Sequence, residues 1–208
     1  GMDLCSALKQ CKNKNIIHRD IKPQNIFVSA DGNFKLGDFG VAKVVEQATS
    51  GTRIGTFNYM APEVHKGDPY DSAADIYSLG LVMYWMLNER RLPFLPLPPH
   101  TISAPLSENS RLRRFSGEQL PAPAHGSESL KAVVLRACAY HAADRYSSAD
   151  DMLYALEMQE HTQGMFISKR EAERKRLEKE KQRKEEAERQ RQEEITRKQK
   201  EEEETQRL

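Results

Sequence analysis

The feature that most limits what this chain can fold into is a set of polar residues that make sense only if they converge. Asp20, Lys22 and Asn25 stand in His18-Arg19-Asp20-Ile21-Lys22-Pro23-Gln24-Asn25, and a second acid follows in Asp38-Phe39-Gly40. Between them lie two short apolar runs, Asn25-Ile26-Phe27-Val28 and Phe34-Lys35-Leu36, joined through Ala30-Asp31-Gly32-Asn33. An Asp-Gly pair favours a tight hairpin turn, because glycine tolerates the positive φ that such turns require. A hairpin here sets the separation of Asn25 and Asp38. A third motif, Ala61-Pro62-Glu63, comes next in order. Any one of these residues alone reads as a solvated loop residue; the group, at this spacing, reads as a site.

Around the hairpin the pattern is helical. Met2 to Asn13 carries Leu4, Cys5, Leu8 and Cys11 at helical spacing, and Ile16-Ile17 reads as a short buried strand entering the His18 loop. Val41 to Asn58 is rich in Thr, Ser and Gly and reads as a surface loop. Ser72 to Leu87 is the most apolar stretch, a central helix buried on nearly all sides and too short to span a bilayer. The proline-rich stretch Leu92 to Pro105 cannot be helical throughout. Ser107 to Phe115, Ser129 to Ala139 and Ser148 to Glu160 read as further helices. Cys5, Cys11 and Cys138 form no CxxC pair and no metal-ligand spacing, which suits buried thiols in a reducing cytosol. With no signal peptide and no membrane span, the expected location is cytoplasmic.

From Lys169 to Leu208 the composition changes: 15 Lys/Arg and 13 Asp/Glu leave 17 and 18 for the first 168 residues. Neither part has the one-sided basic charge of a nucleic-acid binder, so no nucleic-acid partner is expected. Opposite charges recur at i, i+4, as in Glu171–Lys175, Glu180–Lys184, Glu185–Arg189, Glu193–Arg197 and Glu194–Lys198. Each such pair adds about 0.2–0.5 kcal/mol to an exposed helix. Apolar residues are too sparse for a strong coiled-coil seam. A solvated single helix is the first reading of the tail, a weak coiled coil with a helical partner the second, a disordered charged segment the third.

The three ordered motifs resemble the catalytic loop, the metal-binding loop and the activation-segment anchor of protein kinases. Over roughly residues 2–160 the chain is similar to eukaryotic-type serine/threonine protein kinases, the bacterial members above all. The fold this implies is mainly α: a kinase C-terminal lobe, helical with a small β-hairpin at the catalytic loop, followed over 161–208 by the charged helical or coiled-coil-like tail. The implied activity is ATP-dependent phosphoryl transfer to Ser or Thr hydroxyls of a protein substrate, with Mg²⁺. Asp20 would receive the hydroxyl proton and Lys22 would reach the γ-phosphate as a compact positive charge. Asn25 and Asp38 would offer Mg²⁺ hard oxygen ligands. Lys22 at this spacing, and Gly55-Thr56 ahead of Tyr59-Met60-Ala61-Pro62-Glu63, match the serine/threonine pattern, with Thr56 bonding Asp20 and Lys22. Arg19 would receive an activation-loop phosphate on Thr49, Ser50 or Thr52. His18, Phe39 and Gly40 would be structural supports, Asp75 would hold the catalytic loop from below, and Glu63 would pair with Arg145.

The resemblance stops short of the whole enzyme. No glycine-rich phosphate loop, strand lysine or helix glutamate of an N-terminal lobe can be placed, and Val41-Ala42-Lys43 follows Asp38-Phe39-Gly40, so it is a false match to the strand-lysine motif. Weak or absent transfer by this chain alone is therefore expected. The alternative is a non-catalytic binding or scaffold module that uses the same surface and the tail.

Overall fold

One helix with almost no polar face organises the chain. In the computed structural model α3 (Ala73–Leu87) buries every residue from Ala74 to Tyr84, as a run of this hydrophobicity must if it is to leave water. The structure describes residues 1–38, the backbone of Lys43–Val44, residues 57–162, and positions 164, 174, 176–179 and 182. They divide into two compact units, Gly1–Gln159 and Glu160–Leu208. In the second unit the described positions are helical and those with described side chains are exposed. Most of the charged tail lies outside the described residues.

In the first unit the order is α1 (Met2–Asn13), β1 (Ile16–Ile17), β2 (Ile26–Val28), β3 (Phe34–Leu36), β4 (Lys43–Val44), α2 (Pro62–Lys66), then α3, α4 (Ala104–Phe115), α5 (Glu128–Ala137) and α6, which begins at residue 149. The core gathers Leu4, Cys5 and Leu8 of α1, the inner face of α3, Val133, Val134 and Ala137 of α5, and Met152 and Leu156 of α6. All three cysteines are free and buried. Burial pushes the Cys5 thiol up to about 11 and the Cys138 thiol up to about 12. Among the described residues no helix is long and apolar enough to cross a membrane.

The expected hairpin forms: β2 and β3 pair antiparallel with Ile26 opposite Leu36 and Val28 opposite Phe34. Its turn closes with Gly32 N–H on Ser29 O and Ser29 N–H on Asn33 O, both 2.9 Å, and Gly32 at φ 79°. Three details depart from the expectation. Lys43–Val44, inside the segment read as loop, pairs antiparallel with β1, Ile16 opposite Val44. Residues 45–56, the rest of that segment up to Phe57, lie outside the described residues. Helix α4 begins at Ala104 and takes Pro105 into its first turn, where a missing N–H costs nothing because that group has no helical partner anyway. Helix α5 ends at Ala137 and Cys138 caps it. Serine caps open both: Ser103 Oγ accepts from Leu106 N–H at 3.4 Å and Ser127 Oγ from Leu130 N–H at 3.2 Å.

Helices α3 and α5 meet at Gly80. A Cβ there would lie 2.8 Å from both Ala137 Cβ and Cys138 Sγ, closer than real packing allows. Gly80→Ala is therefore expected to cost about 1–3 kcal/mol by overpacking, outweighing the gain of about 1 kcal/mol in helix propensity. Urea melts of the two proteins read the difference, and a stabilised variant would mean that α5 yields freely.

Candidate active site

The loop from His18 to Asn25 is suspended between α3 and the hairpin. Asp75, in the first turn of α3, accepts from two successive backbone amides: His18 N–H to Oδ2 at 2.8 Å and Arg19 N–H to Oδ1 at 2.9 Å. Asp75 is 3% exposed. Burial raises its carboxyl above the usual range, and the two amide bonds, with the Arg19 charge, oppose that rise. His18, wholly buried, ties the loop to the other side: its Nε2–H donates to the Gly37 carbonyl at 3.1 Å. Because a carbonyl only accepts, this bond fixes the tautomer. Gly37 N–H in turn donates to Asn25 O at 2.9 Å. The residue just before Asp38 is thus held at both its backbone groups, and Asp38 follows in a left-handed conformation at φ 56°.

Within this frame three side chains meet. Lys22 Nζ donates to Asp20 Oδ2 at 2.6 Å, and Asn25 Nδ2 donates to the same oxygen at 2.9 Å and to the Asp20 carbonyl at 2.8 Å. Asp20 is 4% exposed. A buried carboxylate must be matched by charge or hydrogen bonds, and Lys22 and Asn25 supply both. Pro23 opens the 3₁₀ turn Pro23–Asn25 that brings Asn25 back over Asp20. Asp38 is exposed at the open end of the hairpin. Phe39, Gly40, Thr49, Ser50, Thr52 and Thr56 lie outside the described residues, so their expected roles have no geometry.

Arg19 stands beside this cluster, at φ 69°, with its guanidinium over the Tyr70 ring, 5.0 Å from the centroid. Its Nε and Nη2 are buried with no hydrogen-bond partner among the described residues. Further on, Glu63 in α2 meets Arg145 in a two-bond pair, Nη1 to Oε1 at 2.6 Å and Nη2 to Oε2 at 2.8 Å. The Arg145 nitrogens also reach three carbonyls, Ala139 at 2.8 Å, Ala73 at 3.0 Å and Tyr140 at 3.0 Å. One side chain therefore joins α2, the start of α3 and the end of α5.

Three positioning residues escape a reading of the sequence. Ser78 Oγ, in mid-α3, donates to the Tyr59 carbonyl at 2.8 Å and so pins the segment entering α2. Tyr70 supplies the ring beneath Arg19. Gly37 lets the chain pass the Phe27 ring, since a Cβ there would lie 2.5 Å from it. Only Gly37 carries a local signal, a glycine at a strand end.

With this geometry in place, comparison with known proteins is direct. The model of the protein kinase domain matches residues 2–162. The chain is 36% identical over 159 residues to a probable serine/threonine-protein kinase PknB of Corynebacterium glutamicum, covering 72% of this chain and 24% of that protein. It is 38% identical over 160 residues to the serine/threonine-protein kinase PknB of Mycobacterium leprae, with coverage of 72% and 24%. Against the mouse serine/threonine-protein kinase Nek1 it is 34% identical over 148 residues, covering 70% of this chain and 12% of that protein. The chain belongs to the protein kinase family. It spans about a quarter, 24%, of the length of the bacterial relatives it matches.

Proposed function

We propose that the chain carries the catalytic loop and metal-binding face of a serine/threonine protein kinase, with residues 2–160 as its C-terminal lobe and 161–208 as a charged helical tail. The observation that carries the reading is the convergence of Lys22 Nζ and Asn25 Nδ2 on one oxygen of Asp20, with Gly37 hitched to Asn25 beside Asp38. Asp20 receives the proton of the attacking Ser or Thr hydroxyl. Its carboxylate is aimed by two donors, so little reorganisation remains when the hydroxyl arrives. Lys22, already a hydrogen bond from Asp20, lies where a γ-phosphate oxygen next to that hydroxyl would be met by a cation.

Among the described residues no cluster of three or more His, Cys, Asp or Glu side chains could hold a metal by itself. An amide oxygen and a carboxylate are instead the small, hard donor set that suits Mg²⁺, which keeps several waters and substrate phosphate oxygens as ligands. Asn25 and Asp38 would hold it. Bound there with ATP, Mg²⁺ supplies positive charge to the phosphoryl oxygens. Arg19, with two buried nitrogens lacking a partner among the described residues, is suited to receive a phosphate on Thr49, Ser50 or Thr52.

The 208 residues contain no GxGxxG loop over the phosphates, so we expect the chain to transfer phosphate poorly until such a lobe is supplied. The test is transfer of labelled γ-phosphate from Mg-ATP to a basic Ser/Thr peptide, by the chain alone and with a kinase N-terminal lobe added. Asp20→Ala is expected to remove about 10²–10⁴-fold of whatever transfer is seen. Undiminished transfer by Asp20→Ala would sink the assignment of Asp20. Absence of transfer with and without the added lobe would favour a binding module.

A further inference from the structure

Arg114, near the end of α4, is 2% exposed, as is Arg145. The two are satisfied very differently. Every guanidinium nitrogen of Arg145 rests on oxygen, whereas Nε, Nη1 and Nη2 of Arg114 all lack a hydrogen-bond partner among the described residues. Buried polar groups are as a rule paired, and buried charges more strictly so.

Among the described residues no carboxylate is hydrogen-bonded to Arg114. The Tyr77 hydroxyl approaches the guanidinium, without the geometry of a good hydrogen bond, and Cys138 lies near it; burial raises the phenol and holds the thiol up at about 12, so both stay neutral and neither balances the charge. The Phe115 ring lies 5.6 Å away. Glu118 lines the same cavity as Arg114, but its carboxylate is engaged by Arg113, whose Nε donates to Oε2 at 2.7 Å while Nη2 donates to Oε1.

Arg114 forms part of the wall of a cavity of about 260 Å³ between α3, α5 and the connection that follows α4. Tyr77 and Cys138 make its buried floor, Leu120 and Leu135 its apolar sides, and Gly117 and Gln119 an exposed rim through which a ligand can enter. A pocket with apolar sides and a few oriented polar groups is the usual form of a small-molecule site.

We propose that this cavity binds a small monocarboxylate with an apolar body, its carboxylate on the Arg114 guanidinium and its body against Leu120 and Leu135. The planar fork of an arginine matches a carboxylate with two parallel hydrogen bonds. One cation balances one charge. Inorganic phosphate, largely a dianion near neutral pH, would bring surplus charge against walls that offer no second cation, and desolvating it there is unfavourable. This site is separate from Asp20, Lys22 and Asn25 and does not depend on the proposed transfer reaction.

Benzoate is the probe, with inorganic phosphate as the competitor class, titrated into the full chain by calorimetry and by thermal midpoint. Benzoate is expected to saturate with a Kd of about 1 mM, in keeping with its few atoms, and to raise the midpoint, while phosphate does neither. Arg114→Met should weaken benzoate at least about tenfold. Without ligand its midpoint should be no lower than that of the parent, because an unpaired buried charge has been replaced by an apolar chain. Leu135→Trp keeps the arginine, fills the cavity and should also abolish binding; it decides the matter if Arg114→Met does not fold. Absence of saturable benzoate binding overturns the proposal. So does binding that survives Leu135→Trp, or phosphate that binds more tightly than benzoate.

Discussion

Replacing Arg145 with alanine is expected to lower stability by about 3–5 kcal/mol. The side chain is fully buried, and the Glu63 side chain it pairs with is 14% exposed, so solvent screening offers little relief. Removal leaves a carboxylate without its cation and the carbonyls of Ala73, Ala139 and Tyr140 without a donor. The effect exceeds that of a surface ion pair, worth about 0–1 kcal/mol, because here each partner would be abandoned out of water. Urea denaturation measures it. The double replacement Glu63→Gln with Arg145→Met should lose less than Arg145→Ala, since it removes both charges together. A loss below about 1 kcal/mol for Arg145→Ala would put the pair in the surface class.

The second large effect is expected at Asp75. Asp75→Ala takes the acceptor from two amides, the buried His18 N–H and the part-buried Arg19 N–H. Each orphaned donor costs about 1–3 kcal/mol. Because those amides begin the loop that carries Asp20, the phosphoryl transfer proposed above, measured with a kinase N-terminal lobe added, should fall together with stability. Asp75 also gives the fold a pH dependence whose sign is determined. Its folded carboxyl titrates above the ordinary 3.8, so the native state holds the proton in a window where the unfolded chain has released it. The Asp75 contribution is therefore greatest at low pH and declines as pH rises through that window. The thermal midpoint of the parent minus that of Asp75→Asn should fall as pH rises above the ordinary carboxylate range. A difference that grows with pH would mean that the two amide bonds outweigh burial.

How much of this was legible in the sequence depended on distance along the chain. The Asp31-Gly32 turn is chemistry between neighbours, and the hairpin it predicts is the hairpin found. Helices α1 and α3 were legible because apolar spacing reports burial directly. The two-residue strand β4 was not: Lys43–Val44 is set in a polar segment, and only β1 gives it a reason to be extended. Pro105 misplaced the start of α4, because proline stops a helix in its middle and suits it in its first turn. At the site, Asp20, Lys22 and Asn25 lie close enough in sequence for convergence to be expected. Glu63 with Arg145, and Asp75 with the loop, could be named only through the resemblance to kinases. The stacking of Arg19 on Tyr70 and the bond from Ser78 to Tyr59 join residues far apart in sequence, and no local pattern encodes them.

The manner in which Asn25 is held explains why that position calls for an amide. Both atoms it contacts on Asp20, the carbonyl and Oδ2, can only accept, so the nitrogen end must face them and both its hydrogens are spent there. The oxygen end is left uncommitted to Asp20. A carboxylate in its place would lack donors and set a like charge against Asp20; an ammonium would lack the acceptor. An amide divides its two ends, and can therefore steady an acid with one hand while, in the proposed function, it offers oxygen to Mg²⁺ with the other.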